Sequence, residues 1–174
     1  MKKNLILRGA GVALITFGLY GMFKKSKKST SLTGGAIVPN DIPGTVPSYL
    51  EHLVEIGGED MLKVIAMDPA WAELVQRSSE FLVLCKEEFY IFLKAVAEVI
   101  AFVIALNLKN KKPSFGTPRV FRTKLHGVIE GVRLMRAAVE EKCASALNDF
   151  DEVASDIQKM HDDAAYNMLL DAGV

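Results

Sequence analysis

The sequence is poor in cysteine and carries no excess of charge of either sign. Only two cysteines, Cys85 and Cys143, occur in 174 residues, too few for the disulfide framework that stabilises small secreted domains. Lysine plus arginine number 21, and so do aspartate plus glutamate. The net positive charge typical of nucleic-acid-binding proteins is therefore missing. We expect neither a disulfide scaffold nor a nucleic-acid partner.

The sequence also lacks the short motifs that mark common catalytic and cofactor sites. It has no Gly-x-Ser-x-Gly, no phosphate-binding Gly-x-x-x-x-Gly-Lys-Ser/Thr and no His-Glu-x-x-His. No glutamate lies three residues before His52, His126 or His161, which excludes the Glu-x-x-His pairs of di-iron bundles. Residues 149–156 contain the carboxylates of a calcium loop without its glycine or closing glutamate. We expect no enzyme, no cofactor and no metal site.

One long apolar run stands at the start of the chain. Residues 4–23 match a bilayer crossing, because about twenty helical residues span roughly 30 Å. The run ends at a lysine cluster, and ammonium groups at that position lie among lipid headgroups. We predict a transmembrane anchor over residues 1–23. Its apolar residues are Leu5, Ile6, Leu7, Val12, Leu14, Ile15, Phe17, Leu19 and Phe23, and the headgroup contacts are Lys24, Lys25, Lys27 and Lys28.

Two other interpretations of this run stay open. A cleaved signal peptide shares the basic start, but it ends in a small-x-small site, whereas Phe23 and lysines end this run. A hydrophobic helix buried in a protein assembly is the second. Since more lysines follow the run than precede it, the positive-inside rule favours a single-pass protein with a cytoplasmic body.

Residues 24–48 are basic at first and then rich in serine, glycine and proline. Glycines favour a flexible chain and prolines an extended one, so this segment is predicted to be a tether. Fully extended, it would reach on the order of 80 Å. Apolar residues at Ile37, Val38, Ile42 and Val46 indicate that part of it lies along a protein surface.

The remaining residues, 49–174, are predicted to form an all-α body. Short helices are expected before and after Gly57-Gly58. Asp68-Pro69 and Thr117-Pro118 are helix start signals, and Gly173 is expected to end the last helix. Neither glycine nor proline occurs from residue 70 to residue 110. We therefore predict two long arms, at about 69–110 and 117–171, with one or two short helices packed on them.

Both arms carry apolar residues at heptad spacing, which predicts an antiparallel, coiled-coil-like hairpin. The register that aligns the two series pairs Val96 with Val132, and Cys85 with Cys143. The cysteines are then either two small buried side chains or a cross-helix disulfide, which needs an oxidising compartment. Arg136, the one charge in the seam, is expected to pair with Glu88 or to emerge against a third helix.

The first arm is apolar over more than one stripe, so a two-helix hairpin leaves part of it uncovered. We expect the short helices to cover some of that surface, and oligomerisation or partner docking to cover the rest. A second transmembrane helix over 89–108 is the competing interpretation. Lys94 and Glu98 inside that window count against it.

A segment without any acidic residue joins the two arms and carries six cations. We expect it to contact anionic lipid headgroups or an acidic protein surface, or else only to keep the end of the hairpin soluble. The acidic C-terminal half adds a third option, head-to-tail association of copies. The six cations are Lys109, Lys111, Lys112, Arg119, Arg122 and Lys124.

The order of these segments resembles the minor capsid proteins of icosahedral double-stranded DNA viruses with an internal membrane. The resemblance is carried by Leu5–Phe23, by Lys24–Lys28 and by the tether through Pro47, without a diagnostic motif. It implies a virion structural protein that ties the capsid shell subunits to the inner membrane. The alternatives are a cellular single-span scaffold or tether and a non-catalytic accessory subunit of a membrane complex.

Overall fold

The computed structural model describes residues 44–109 and 112–173, and these residues form helices and connections without any strand. The all-α prediction is confirmed for this part of the chain. The predicted transmembrane anchor, its lysine cluster and the tether up to residue 43 lie outside the described residues.

Six α-helices follow one another along the described chain. A 3-10 helix, Ser48–Leu53, leads directly into the first of them, and single 3-10 turns occur at Ser79–Phe81 and Ala144–Ala146. The α-helices are α1 (Val54–Gly57), α2 (Glu59–Ala66), α3 (Pro69–Ser78), α4 (Lys86–Leu108), α5 (Thr117–Lys142) and α6 (Leu147–Ala172).

The predicted start and stop signals act where they were expected. The Asp68 carboxylate accepts hydrogen bonds from the backbone N–H of Ala70, at 3.1 Å, and of Trp71, at 3.3 Å. This side chain caps the α3 N-terminus, and Pro69 provides the first helical residue. At the other end of the chain, Gly173 ends α6 with a φ of 74°, the left-handed conformation in which glycine carries no steric penalty.

Each predicted long arm is in fact interrupted, which corrects the prediction of two continuous helices. The first arm stops at Ser78 and resumes at Lys86, and the second stops at Lys142 and resumes at Leu147. Neither break contains glycine or proline. The breaks allow α3 and α6 to fold onto each other, where Arg77 of α3 lies 2.8 Å from Asp156 of α6. Phe81, in the first break, packs edge-to-face on Phe150 of α6, with ring centroids 5.1 Å apart. Burial of apolar surface therefore outweighs the local helix preference.

The helices surround one core. α5 lies between α4 and α6, α3 packs against α6, and α1 and α2 cover part of α4. The cover expected from the short helices is present, since Leu50, Leu53, Leu62 and Ile65 have no exposed surface. The largest fully buried side chains of the core are Trp71, Phe89, Phe92, Phe121 and Phe150.

α4 and α5 form the antiparallel hairpin that the heptads predicted, but in another register. Phe92 faces Gly131 rather than Arg136, and Phe102 stacks on Phe121 with ring centroids 5.9 Å apart. Gly127 lies against Ala95. The register is displaced by about five residues, because glycines in α5 let the α4 backbone approach closely. A heptad pattern alone fits several alignments.

The displaced register gives Arg136 a partner other than Glu88. Its Nε lies 2.8 Å from Asp151 Oδ1 and its Nη2 lies 3.0 Å from Asp151 Oδ2, with Glu140 3.4 Å from Nη1. This two-pronged ion pair joins α5 to α6. The interpretation in which Arg136 emerges against a third helix is the correct one.

Candidate functional site

The predicted basic segment forms one end of the helical bundle. It begins at Lys109, directly after α4, and continues through the connection into the first turns of α5. The Ser114 N–H donates a hydrogen bond to Oγ1 of Thr117, the first residue of α5, at 2.9 Å. The next residue, Pro118, is buried. Lys109, Lys112, Arg119 and Arg122 are exposed there, while Lys111 lies outside the described residues.

Lys124 differs from the other cations of this segment. Its Nζ lies 3.7 Å from Glu98 Oε2 and 6.0 Å from the centroid of the Phe102 ring. These contacts hold it against α4. Within residues 44–109 and 112–173, Lys112, Arg119 and Arg122 form no ion pair, so their charge faces solvent.

Apolar side chains are exposed among these cations. Phe115 is 86% exposed, Leu108 74% and Val120 50%. Phe121, in the same segment, is instead buried in the core. We refer to the combined surface as the tip. It consists of Leu108, Lys109, Lys112, Phe115, Arg119, Val120 and Arg122.

A groove of about 480 Å³ runs beside the tip, between α5 and the second half of α6. Its apolar lining comes from Phe115, Pro118, Ala165, Tyr166 and Leu169, with Arg119, Arg122, His161 and Asp162 also lining it. The sequence pattern did not indicate this groove, because it predicted one long arm over residues 117–171. In the structure the break after Lys142 returns α6 to the tip.

The Asp162 carboxylate in this groove already has hydrogen-bond partners within the protein. His161 Nδ1 lies 2.8 Å from Asp162 Oδ1, and the Gln158 amide donates to the same oxygen at 2.9 Å. The hydrogen bond with His161 lowers the pKa of the Asp162 carboxyl, so this group is ionised at neutral pH. Among the described residues that line the groove, Arg119 and Arg122 are therefore the charges without an ion-pair partner.

The two cysteines lie at the opposite end of α4, at the two helix breaks. Cys85 precedes α4 and Cys143 follows α5, and both are free thiols. Lys142 Nζ donates to the Leu84 carbonyl at 2.8 Å, which ties the two breaks together. Burial, followed by the charge of Glu88, raises the pKa of the Cys85 thiol to about 11. A thiol of this kind is a poor nucleophile at neutral pH.

Among the described residues, α4 is the one helix long and apolar enough to cross a membrane. Of its most apolar stretch, 39% is buried inside the structure. A core helix has the same length and composition, so this feature is weak evidence for a second span. Within the described ranges, no three histidine, cysteine, aspartate or glutamate side chains come together as metal ligands would.

Comparison of the chain with protein-family models, with curated proteins and with solved structures found no match.

Proposed function

We propose that this chain is a membrane-associated structural protein, without catalytic activity, whose tip binds the surface of an anionic bilayer. The observation that carries the proposal is the exposure of Phe115 next to the solvated charges of Arg119 and Arg122. Basic side chains attract anionic headgroups, and apolar side chains between them enter the boundary with the acyl chains.

The expected strength of this contact is moderate. Each lysine or arginine near an anionic surface contributes about 1 kcal/mol, and complete burial of a phenylalanine contributes about 1.5–3 kcal/mol. Four exposed cations and one inserted aromatic ring therefore support reversible binding. Lasting attachment requires a second signal, which the predicted N-terminal anchor would provide.

The dimensions allow the anchor and the tip to contact one bilayer. α4 has 23 residues and measures about 35 Å at the usual helical rise. The predicted tether ends at residue 48, and His52, shortly after it, lies 3.1 Å (Nε2 to Oγ) from Ser79 in the break that precedes α4, far from the tip. The extended reach of the tether, on the order of 80 Å, exceeds the length of α4.

Within the class of structural proteins, we propose the role of tying a capsid shell to an internal membrane. Support for this role comes from the order of anchor, lysine cluster, tether and helical body in the sequence. A cellular single-span scaffold is the second candidate, and the exposed apolar tip is compatible with it as well.

Fluorescence quenching by brominated lipid tests the contact of the tip with lipid. The chain has a single tryptophan, Trp71, which is 2% exposed in the core and serves as a shielded reference. The full-length variant Phe115→Trp is reconstituted into vesicles of brominated phosphatidylglycerol or brominated phosphatidylcholine. We expect additional quenching relative to wild type in the anionic vesicles and much less in the neutral ones.

Val83→Trp is the matched control, because Val83 is 94% exposed at the end of α4 opposite the tip. Its tryptophan should escape quenching in both kinds of vesicle. Equal quenching of the two variants, or no quenching of Phe115→Trp in anionic vesicles, would contradict the proposal.

Density-gradient fractionation of source material tests the capsid role separately. Retention of the protein in particles after detergent has removed lipid supports attachment to a shell. Release into the detergent-soluble fraction, alone or with one partner, excludes that role and leaves the membrane scaffold.

A further inference from the structure

Within the part of the chain that the structure describes, one face of α4 remains uncovered along the whole length of the helix. Its residues follow one another at alternating spacings of four and three, the a/d spacing of a coiled coil. All seven are exposed. We refer to them as the α4 stripe: Glu87, Ile91, Lys94, Glu98, Ala101, Ala105 and Leu108.

The stripe carries apolar surface that no described element covers. Ile91 is 45% exposed and Leu108 74% exposed, in a helix whose other faces pack against α2 and α5. An a/d stripe of this length on a solvent-facing side is a surface suited to a facing helix.

The stripe is complementary to itself when a second helix lies antiparallel to it. When the two-fold axis passes midway between Lys94 and Glu98, Lys94 lies opposite the partner's Glu98. By symmetry, Glu98 lies opposite the partner's Lys94. In the same register Ile91 meets the partner's Ala101, a large side chain against a small one. Opposite charges and matched volumes thus occur in one isologous arrangement.

A parallel copy in register does not have this complementarity. Lys94 would face the partner's Lys94, and Glu98 the partner's Glu98, so that like charges meet at both positions. The charge order along the stripe therefore selects the antiparallel arrangement.

We propose that the α4 stripe from Glu87 to Ala105 is the interface with a second copy of this chain, packed antiparallel about a two-fold axis, while Leu108 remains part of the tip. Glu98 can take part because its side chain is 51% exposed despite its contact with Lys124. Such a dimer is elongated and carries one tip at each end. The proposal does not depend on what the tips bind.

Lipid is a poorer occupant for this face. A membrane-spanning α4 would carry Lys94 and Glu98 near the bilayer centre, where a charged side chain is strongly unfavourable. A protein partner with opposite charges at the facing positions compensates both groups.

Charge reversal on the full-length chain in detergent tests the proposal, with molar mass measured by sedimentation equilibrium. We expect a wild-type dimer. Lys94→Glu and Glu98→Lys should each weaken it by about tenfold or more, because each places like charges opposite each other twice. The double variant Lys94→Glu/Glu98→Lys should dimerise again, since it exchanges the two charges.

Lys86→Glu is the control, an equal charge change at an exposed position of α4 outside the stripe. It should leave the dimer intact. A monomeric wild type overturns the proposal. So does a dimer that Lys94→Glu does not weaken, or a double variant that fails to recover.

Cysteine cross-linking tests the orientation. In a Cys143→Ser background, where the remaining Cys85 is buried, Ile91→Cys/Ala101→Cys should give a disulfide-linked dimer on mild oxidation. Ile91→Cys alone should give none, because the two copies of residue 91 lie about 15 Å apart along an antiparallel pair. Cross-linking of the single variant, or failure of the double one, overturns the antiparallel arrangement.

Discussion

Phe92 and Gly131 bring the backbones of α4 and α5 into direct contact. A Cβ added at Gly131 would lie 2.7 Å from the Phe92 Cα, closer than real Cβ atoms approach backbone. This contact determines the register of the hairpin. It aligns Lys124 with Glu98 and frees Arg136 to reach Asp151.

Gly131→Ala should therefore destabilise the fold. The methyl group meets backbone and Cβ atoms of Phe92 that cannot rotate away, and overpacking of this kind costs about 1–3 kcal/mol. Gly127→Ala is the matched control. There an added Cβ would lie 3.6 Å from the Ala95 Cβ, an ordinary contact, so the better helix propensity should stabilise by up to about 1 kcal/mol. Urea unfolding followed by circular dichroism measures both, and the prediction fails if the two variants shift alike.

Asp68 should make the fold more stable in mild acid than at pH 8. Burial raises the pKa of this carboxyl to about 7 in the folded chain, above its ordinary value of 3.8. Between these two values the folded state retains a proton that the unfolded state has lost. The free energy of unfolding therefore falls by up to about 4 kcal/mol as pH rises from about 4 to about 7. Above pH 7 this contribution no longer changes.

The variant Asp68→Asn should remove this pH dependence. Its amide oxygen can still accept hydrogen bonds from Ala70 and Trp71, and no charge has to be buried. We expect it to be more stable than wild type at pH 8 and close to wild type at pH 4.5. Thermal unfolding of both proteins across this pH range provides the measurement. Parallel curves would show that Asp68 does not titrate between these values.

The charges of the tip should control its contact with lipid. In the Phe115→Trp background, Arg119→Glu/Arg122→Glu should abolish most of the quenching by brominated phosphatidylglycerol, since it turns attraction into repulsion. Raising the salt concentration should reduce quenching in the parent protein. The control is Arg133→Glu, a reversal at an exposed α5 position whose partner is Glu130. Equal loss in the control would indicate an effect of net charge rather than of the tip.

The two cysteines should differ in their reaction with a thiol reagent. At pH 8 a thiol with a pKa of about 11 is about one part in a thousand thiolate, and Cys85 has no exposed surface. Cys143 is partly exposed. Mass spectrometry after brief alkylation of the folded protein should show Cys143 modified first. In urea, which unfolds the chain, both cysteines should be modified. Equal native rates would mean that the break at Cys85 opens readily.

Local signals in the sequence predicted local features of the structure. Asp68-Pro69 and Thr117-Pro118 begin helices, and Gly173 ends one, because capping and backbone preferences act over a few residues. The exposed cations at the α4–α5 connection followed from the same local reading. The anchor, the tether and the capsid resemblance remain predictions.

The breaks and the register required the tertiary structure. Nothing within residues 79–85 or 143–146 has the composition of a helix stop, and the heptads accommodate several alignments. The choice depends on contacts between residues far apart in sequence, such as Phe81 with Phe150 and Phe92 with Gly131. The groove beside Phe115 and the pairing of Arg136 with Asp151 follow from that choice.

The sequence by itself thus determined the all-helical class, the ends of several helices and the charged connection, since these depend on neighbouring residues and on hydrophobic periodicity. Only the tertiary structure decided where the arms bend, which residues face each other and which apolar side chains remain exposed. The physical reason is that core packing is a property of the whole chain. Each side chain gains its burial energy only when distant segments supply the surface that covers it.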